Sequence, residues 1–212
     1  MLRLENVRKY YNRNLVIDST SLELDKGIFW IKGPNGSGKT TLLKMIAGML
    51  PFEGDIVFNN ISLKRQPFAY RQMVGWAEAE PLYPSFVTGK DLLSLYGGIR
   101  KMTVDVRNEL LEKLRLSGYI NDPVGTYSAG MIKKLSLALA FCGFPPLIIL
   151  DEPLITLDPD AFLIVNKLII EHHETHKTTF LISSHQDAAL LSAEVGKELF
   201  VGNRTITYSN VQ

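Results

Sequence analysis

The sequence predicts an α/β fold: a mostly parallel sheet, with an antiparallel β part at the N-terminus and a helical insertion. Three observations carry this. Strand-like apolar runs alternate with helix-like segments through the last third of the chain, as in parallel sheets. A glycine-rich loop sits between a short apolar run at 28–32 and a helix-like segment at 40–50. The stretch from about 81 to 143 reads as helix alone.

The elements follow in order. Residues 2–7 and 16–24 are short β-like segments. The helix at 40–50 is stopped by Pro51, and a strand at 55–58 is closed by Asn59-Asn60. In the insertion, 90–96, 104–116 and 129–141 read as helices, with Leu110, Leu111 and Leu114 at helical spacing. The run 147–150 is a strand, 160–172 a helix, 178–183 a strand and 187–195 a helix. Residues 199–202 and 204–208 form a final hairpin around Gly202-Asn203.

Composition bounds the function. The chain has 212 residues, 46% hydrophobic and 21% charged, which fits one folded domain over 1–212 with a helical subdomain at about 81–143. Lys and Arg total 23 against 22 Asp and Glu, a net charge of +1. That balance argues against nucleic acid as a partner, because such binding needs a basic surface. A single cysteine, Cys142, makes neither an intrachain disulfide nor a multi-cysteine metal site. The first residues carry no apolar signal-peptide stretch. The most apolar run, 135–150, is broken by Gly143 and Pro145-Pro146, so no membrane span is expected. Mean hydropathy is slightly positive, at +0.06.

Gly33-Pro34-Asn35-Gly36-Ser37-Gly38-Lys39-Thr40 matches the phosphate loop G-x-x-x-x-G-K-[ST]. Its glycines permit backbone conformations that turn successive N–H groups inward as an anion nest, in front of a helix N-terminus. Lys39 adds a point charge for the β- and γ-phosphates, and the Thr40 hydroxyl is placed for Mg²⁺. A chance match in this length is on the order of 1%. Further on, the apolar run 147–150 delivers Asp151-Glu152 to the carboxyl edge of the sheet, where open α/β folds bind ligands. Asp151 suits Mg²⁺, and Glu152 suits the polarising of an attacking water.

On these residues the chain resembles the nucleotide-binding subunit of an ATP-binding-cassette (ABC) transporter, a P-loop NTPase. Gly33, Pro34, Asn35, Gly36, Ser37, Gly38, Lys39, Thr40 and Thr41 look like its phosphate loop. Residues 147–153 look like its Walker B strand and catalytic glutamate. Leu157-Asp158 stands at the spacing of the D-loop, and Ser184-His185 looks like the switch histidine. Tyr11, or the adjacent Tyr10, falls where the family stacks an aromatic ring on adenine. Tyr127-Ser128-Ala129-Gly130-Met131 stands in the position of the Leu-Ser-Gly-Gly-Gln signature.

The resemblance implies an enzyme that binds and hydrolyses ATP with Mg²⁺. Two such domains, identical or different, close head to tail around two ATP molecules. Ser128, Ala129 and Gly130 of one then face the γ-phosphate held by the other. His185 contacts that phosphate, Asp158 links the two sites, and Asp151 and Thr40 serve the metal. It further implies a cytoplasmic subunit held at the inner face of a membrane by a separate transmembrane permease, more in the manner of an exporter. Two alternatives stand: a cassette acting on a soluble assembly, and a regulatory nucleotide-binding module with little turnover.

Two departures stand out. Ala129 and Met131 replace Gly and Gln of the signature, which implies slower hydrolysis. The glutamine that the family places after Val74-Gly75-Trp76 is missing; Ala79 stands near its position, flanked by Glu78 and Glu80. The segment 82–89 resembles the start of the insertion in export-type subunits, near the surface that receives the permease; an ordinary loop capped by Thr88 explains it as well. Three other features read as ordinary. His172, His173 and His176 fail the H-E-x-x-H pattern and are expected to be solvated near a helix C-terminus. Phe141 and Phe144 are expected in the core, and Gly97-Gly98 with Lys101 in a turn that ends a helix.

Overall fold

Residues 1–184 and 196–208 are described by the computed structural model. The chain begins with an antiparallel ribbon of β1 (Leu2–Tyr11) and β2 (Asn14–Leu24), then the short buried β3 (Ile28–Lys32) and α1 (Lys39–Ile46). Next come β4 (Glu53–Phe58), β5 (Ile61–Ser62), α2 (Pro67–Gln72) and β6 (Val74–Ala77). Three helices follow: α3 (Gly89–Arg100), α4 (Val104–Lys113) and α5 (Ala129–Phe141). The chain returns through β7 (Leu147–Asp151), α6 (Pro159–His176), β8 (Thr179–Ser183), β9 (Gly196–Gly202) and β10 (Thr205–Tyr208). The helix expected at 187–195 lies outside the described residues.

The strands form two sheets. One is antiparallel, in the order β2-β1-β4-β5; the other runs β10-β9-β3-β8-β7-β6. In the second, every pairing is parallel except that of β10 with β9. Because side chains alternate across a strand, β3 sends Phe29 and Ile31 to one core and Ile28 and Trp30 to the other. Strand β7 does the same with Leu147 and Ile149 against Ile148 and Leu150. The first core is closed by α1 and the antiparallel sheet, the second by α3, α5 and α6. Two buried faces explain why these strands are continuous apolar runs. Each fully buried leucine or isoleucine contributes roughly 1.5–3 kcal/mol.

Local chemistry sets the ends of the elements. Asn59 and Asn60, both at positive φ, form the two-residue turn between β4 and β5. The last hairpin turns one residue later than expected, on Asn203 and Arg204, also at positive φ. Thr88 and Asp91 form a reciprocal capping box at the start of α3. That helix runs through Gly97 and Gly98, and ends at Lys101 in the left-handed conformation (φ 54°). The six-residue α2 is too short to show a period; Pro67 opens it, and the buried Tyr70 hydroxyl donates to the Ile46 carbonyl at 2.9 Å, near the end of α1. Arg100 ties the insertion to the parallel sheet, donating to the carbonyls of Leu139, Cys142 and Val74.

Of the three histidines, His172 corrects the expectation of solvation, while His176 is exposed as expected. His172 is buried, with Phe141 edge-on at 4.8 Å and Phe144 at 5.4 Å between ring centroids. Phe141 itself is in the core. Burial first, then the nearby His176 and Lys113, lowers the His172 imidazole to about 4, against the pull of Glu171 and Glu109. Among the described residues, no three His, Cys, Asp or Glu side chains are grouped to hold a metal ion.

An unfolded chain takes up a proton on His172 near pH 6.5, and the folded chain only near 4. Stability therefore falls as pH drops through that window, by up to about 3 kcal/mol from this group. Urea unfolding of His172→Leu should show a shallower loss from pH 6.5 to 4 than the wild type; parallel curves would exclude His172 as the source.

Candidate functional site

The site is built where β3 leaves the sheet. Gly33 stands at φ 150°, and a Cβ there would lie 2.2 Å from the Val201 carbonyl oxygen of β9, so only glycine passes. Gly38 takes φ 103° as the N-cap of α1 and supplies no side-chain cap. No acidic residue stands in the first turn. The N–H groups of that turn therefore keep their positive field directed outward, in an arrangement suited to an anion. Ser37 Oγ is buried without a hydrogen-bond partner among the described residues.

Lys39 is buried, and its ammonium donates to the carbonyls of Gly33 at 2.8 Å and Pro34 at 3.1 Å. The lysine thus rests on its own loop. A cavity of about 360 Å³ opens over the loop, lined by Tyr11, Val16, Asn35, Gly36, Gly38, Lys39, Thr40, Thr41 and Glu152. Tyr11 is exposed at the end of β1, with the Lys9 ammonium 4.9 Å from its ring centroid. Tyr10 is also exposed but does not line this cavity.

The acids arrive from β7, between β6 and β8. Asp151 pairs in register with Ser183 of β8. The Ser183 hydroxyl donates to Asp151 Oδ1 at 2.6 Å and accepts the Glu152 N–H at 3.0 Å. One hydroxyl thus fixes both acidic residues. Asp151 is 1% exposed, and its Oδ2 is buried without a hydrogen-bond partner among the described residues. A buried carboxylate oxygen of that kind fits a cation. Glu152 takes φ 46°, a strained backbone for a non-glycine residue, right after the strand.

The second group of predicted residues lies on α5 and α6. Ser128 caps α5, its hydroxyl accepting the Met131 N–H at 3.3 Å. Met131 returns the contact, its thioether sulfur accepting the Ser128 N–H at 3.4 Å. Ser128 and Ala129 are exposed. A Cβ on Gly130 would lie 3.2 Å from the Thr156 carbonyl oxygen. Asp158 caps α6 through the Ala161 N–H at 2.7 Å and pairs with Lys134 of α5 at 3.0 Å; both hold its carboxyl below its usual range. None of Ser128, Ala129, Gly130 and Asp158 lines the phosphate cavity. His185 lies outside the described residues.

The model of the ABC transporter family matches residues 17–155. The chain belongs to that family. The cassette is 28% identical over 193 residues to the linearmycin resistance ATP-binding protein LnrL of Bacillus subtilis (strain 168), covering 88% of this chain and 62% of that protein. It thus spans less than two thirds of LnrL. It is 31% identical over 192 residues to the cytochrome c biogenesis ATP-binding export protein CcmA of Reclinomonas americana, covering 88% and 85%. A solved ATP-binding subunit of an ABC transporter shares its fold, at a TM-score of 0.89, 23% identity and coverage of 100% and 90%. Among the described residues of the cassette, no helix is long and apolar enough to cross a membrane.

Three residues of the site escaped the sequence reading. Ser183 gives no motif signal, because its role exists only across the β7–β8 register. Lys44 of α1 is ion-paired with Glu78. That glutamate lines a separate cavity with Trp76, Leu82, Tyr83 and Tyr96 rather than the phosphate cavity. Lys133 of α5 is buried against β7; burial lowers its ammonium to about 8, while Asp151, Glu152 and Glu78 oppose that fall.

Removing the Ser183 hydroxyl strands Asp151 Oδ1 and the Glu152 N–H in a buried place. Ser183→Ala should lower the unfolding free energy by about 1–3 kcal/mol in urea titrations. An unchanged midpoint would show that the hydroxyl holds neither group.

Proposed function

We propose that this cassette is the ATP-binding and ATP-hydrolysing subunit that powers a separate transmembrane permease, in the export direction, through ATP-dependent head-to-tail pairing. One observation carries the reading. Glu152 leaves the strand that ends in Asp151 and lines the same cavity as the uncapped N-terminus of α1.

The chemistry follows from that arrangement. The open N–H groups of the loop and of α1 take the β- and γ-phosphates. Lys39 exchanges two carbonyl partners for phosphate oxygens, which carry full charge and bind it better. Tyr11 offers an exposed ring for the adenine face. Thr40 and Asp151 Oδ2 would hold Mg²⁺, which supplies neutralisation of phosphate charge when bound. Glu152 orients the attacking water and takes its proton. Ser128, Ala129 and Gly130 of a second copy or a related cassette, at the N-terminus of its α5, complete the site from the other side, with Asp158 joining the two sites. His185 contacts the γ-phosphate.

The permease is supported by an apolar surface near the insertion. Leu82 is 92% exposed and Phe86 82%. A mostly apolar hollow among Phe68, Tyr96 and Ile99 adjoins the cavity of Trp76, Leu82 and Tyr83 through the shared Tyr96. Adjoining hollows with apolar linings suit a docked helix. A chain held there sits on the cytoplasmic side of the membrane. Export is supported by the relative described as an export protein.

Glu152→Gln should lower Mg-ATP turnover by about 100-fold or more and trap an ATP-bound dimer in size-exclusion chromatography. The tagged chain should be recovered from detergent-solubilised membranes with a multi-spanning protein. Recovery with soluble proteins alone would sink the transport reading, and full turnover in Glu152→Gln would sink the catalytic one.

Ala129 narrows the backbone at the signature and Met131 offers no amide to a nucleotide, so turnover is slow. The double change Ala129→Gly with Met131→Gln should raise kcat several-fold in a steady-state phosphate-release assay. No gain would remove the signature as the limit on rate.

A further inference from the structure

Lys133 lies one turn into α5 and is 1% exposed. A lysine on a helix ordinarily carries its ammonium to water on a flexible stem. Here the ammonium points inward and donates to the carbonyls of Glu78 at 2.9 Å, Ala79 at 3.1 Å and Asp151 at 3.3 Å. An ammonium has three N–H donors and no acceptor, so all three donors are used on main chain. Two of the carbonyls belong to the loop that follows β6. The third belongs to the last residue of β7, the one before Glu152.

The same loop is held from its other side, where the Glu78 carboxylate pairs with Lys44 of α1. One short loop is thus fixed to the helix behind the phosphate loop by one lysine, and to the end of β7 by another. This is also the loop in which the chain has no glutamine to reach the nucleotide.

We propose that Lys133 is a positioning residue for the proposed hydrolysis: by joining the carbonyls of Glu78 and Ala79 to that of Asp151, it fixes the main chain from which Asp151 and Glu152 project. The three donors of the ammonium are all taken by main-chain carbonyls, so none is left for the nucleotide. It acts through the peptide that precedes Glu152, whose N–H is anchored to Ser183 at its other end. Without the tether, the Glu152 carboxylate samples orientations that do not aim at the water, while the phosphate loop, Lys39 and Tyr11 keep theirs. The loss therefore falls on the chemical step and spares binding.

The inference rests on the ATPase reading, and the experiment separates the two. Lys133→Met keeps the length and apolar stem of the side chain and removes the three donors. In the full chain it should lower kcat for Mg-ATP at least tenfold. KM, and the affinity for ATP measured without Mg²⁺, should stay within twofold of the wild type. A merely structural lysine would move binding and turnover together. A kcat within twofold of the wild type, or a loss lying wholly in KM, overturns the proposal. Should Lys133→Met not fold, Lys133→Gln, whose amide has two donors for three carbonyls, is judged by the same two criteria.

Trp76 gives a reading independent of activity, because it lines the cavity that Glu78 shares. In a Trp30→Phe background, Lys133→Met should shift the Trp76 emission, since the loop at 78–79 is released. An unshifted spectrum overturns the proposal. Absence of turnover in the wild type would instead sink the ATPase reading and leave the Trp76 spectrum to decide whether Lys133 holds the loop.

Discussion

Asp151 is a carboxylate at the end of a central strand, almost wholly removed from water. Burying such a group is costly unless its oxygens find partners, and the architecture around it answers that demand. Parallel pairing of β7 with β8 sets Ser183 opposite Asp151, so that one oxygen is satisfied within the protein. Strand β6 on the other side leads into the loop that Lys133 binds. The remaining oxygen stays without a hydrogen-bond partner among the described residues. The strand order of the sheet is therefore also the arrangement that satisfies one carboxylate oxygen and leaves the other without a hydrogen-bond partner among the described residues.

The phosphate loop follows the same logic with opposite sign. A helix usually covers its first N–H groups with a side-chain oxygen, as α3, α5 and α6 do through Thr88, Ser128 and Asp158. Helix α1 begins instead at a left-handed glycine with no cap. The contrast separates helix starts capped for stability from that of α1, which leaves its field open to a ligand; α2 also lacks a side-chain cap, but it opens on Pro67, which has no N–H to offer. Glu152 belongs to the same class of exceptions, holding a strained backbone where neighbouring strand residues hold extended ones.

Much of this was legible in the amino acids because the signals are local. The glycine spacing of 33–40, the apolar run before Asp151 and the alternation of the last third each report on a few consecutive residues. Strand β6 and helix α2 were harder to read. The one is four residues long and the other is six, and both are fixed by distant partners such as Tyr70 on Ile46 and Arg100 on Val74. His172 misled for a related reason: its neighbours in sequence are polar, but Phe141 and Phe144 close over it from another helix and the loop beyond. Ser183 and Lys133 are ordinary residues until the sheet places them against β7, and no spacing rule marks them.

Met131 has one further consequence. Its sulfur closes the capping box with Ser128 that a polar side chain would otherwise close. The helix start thus keeps its fold while its outward chemistry changes. The stability of this helix start is thus set apart from the chemistry it presents outward, so position 131 can vary in what it offers a ligand without disturbing the scaffold that carries it.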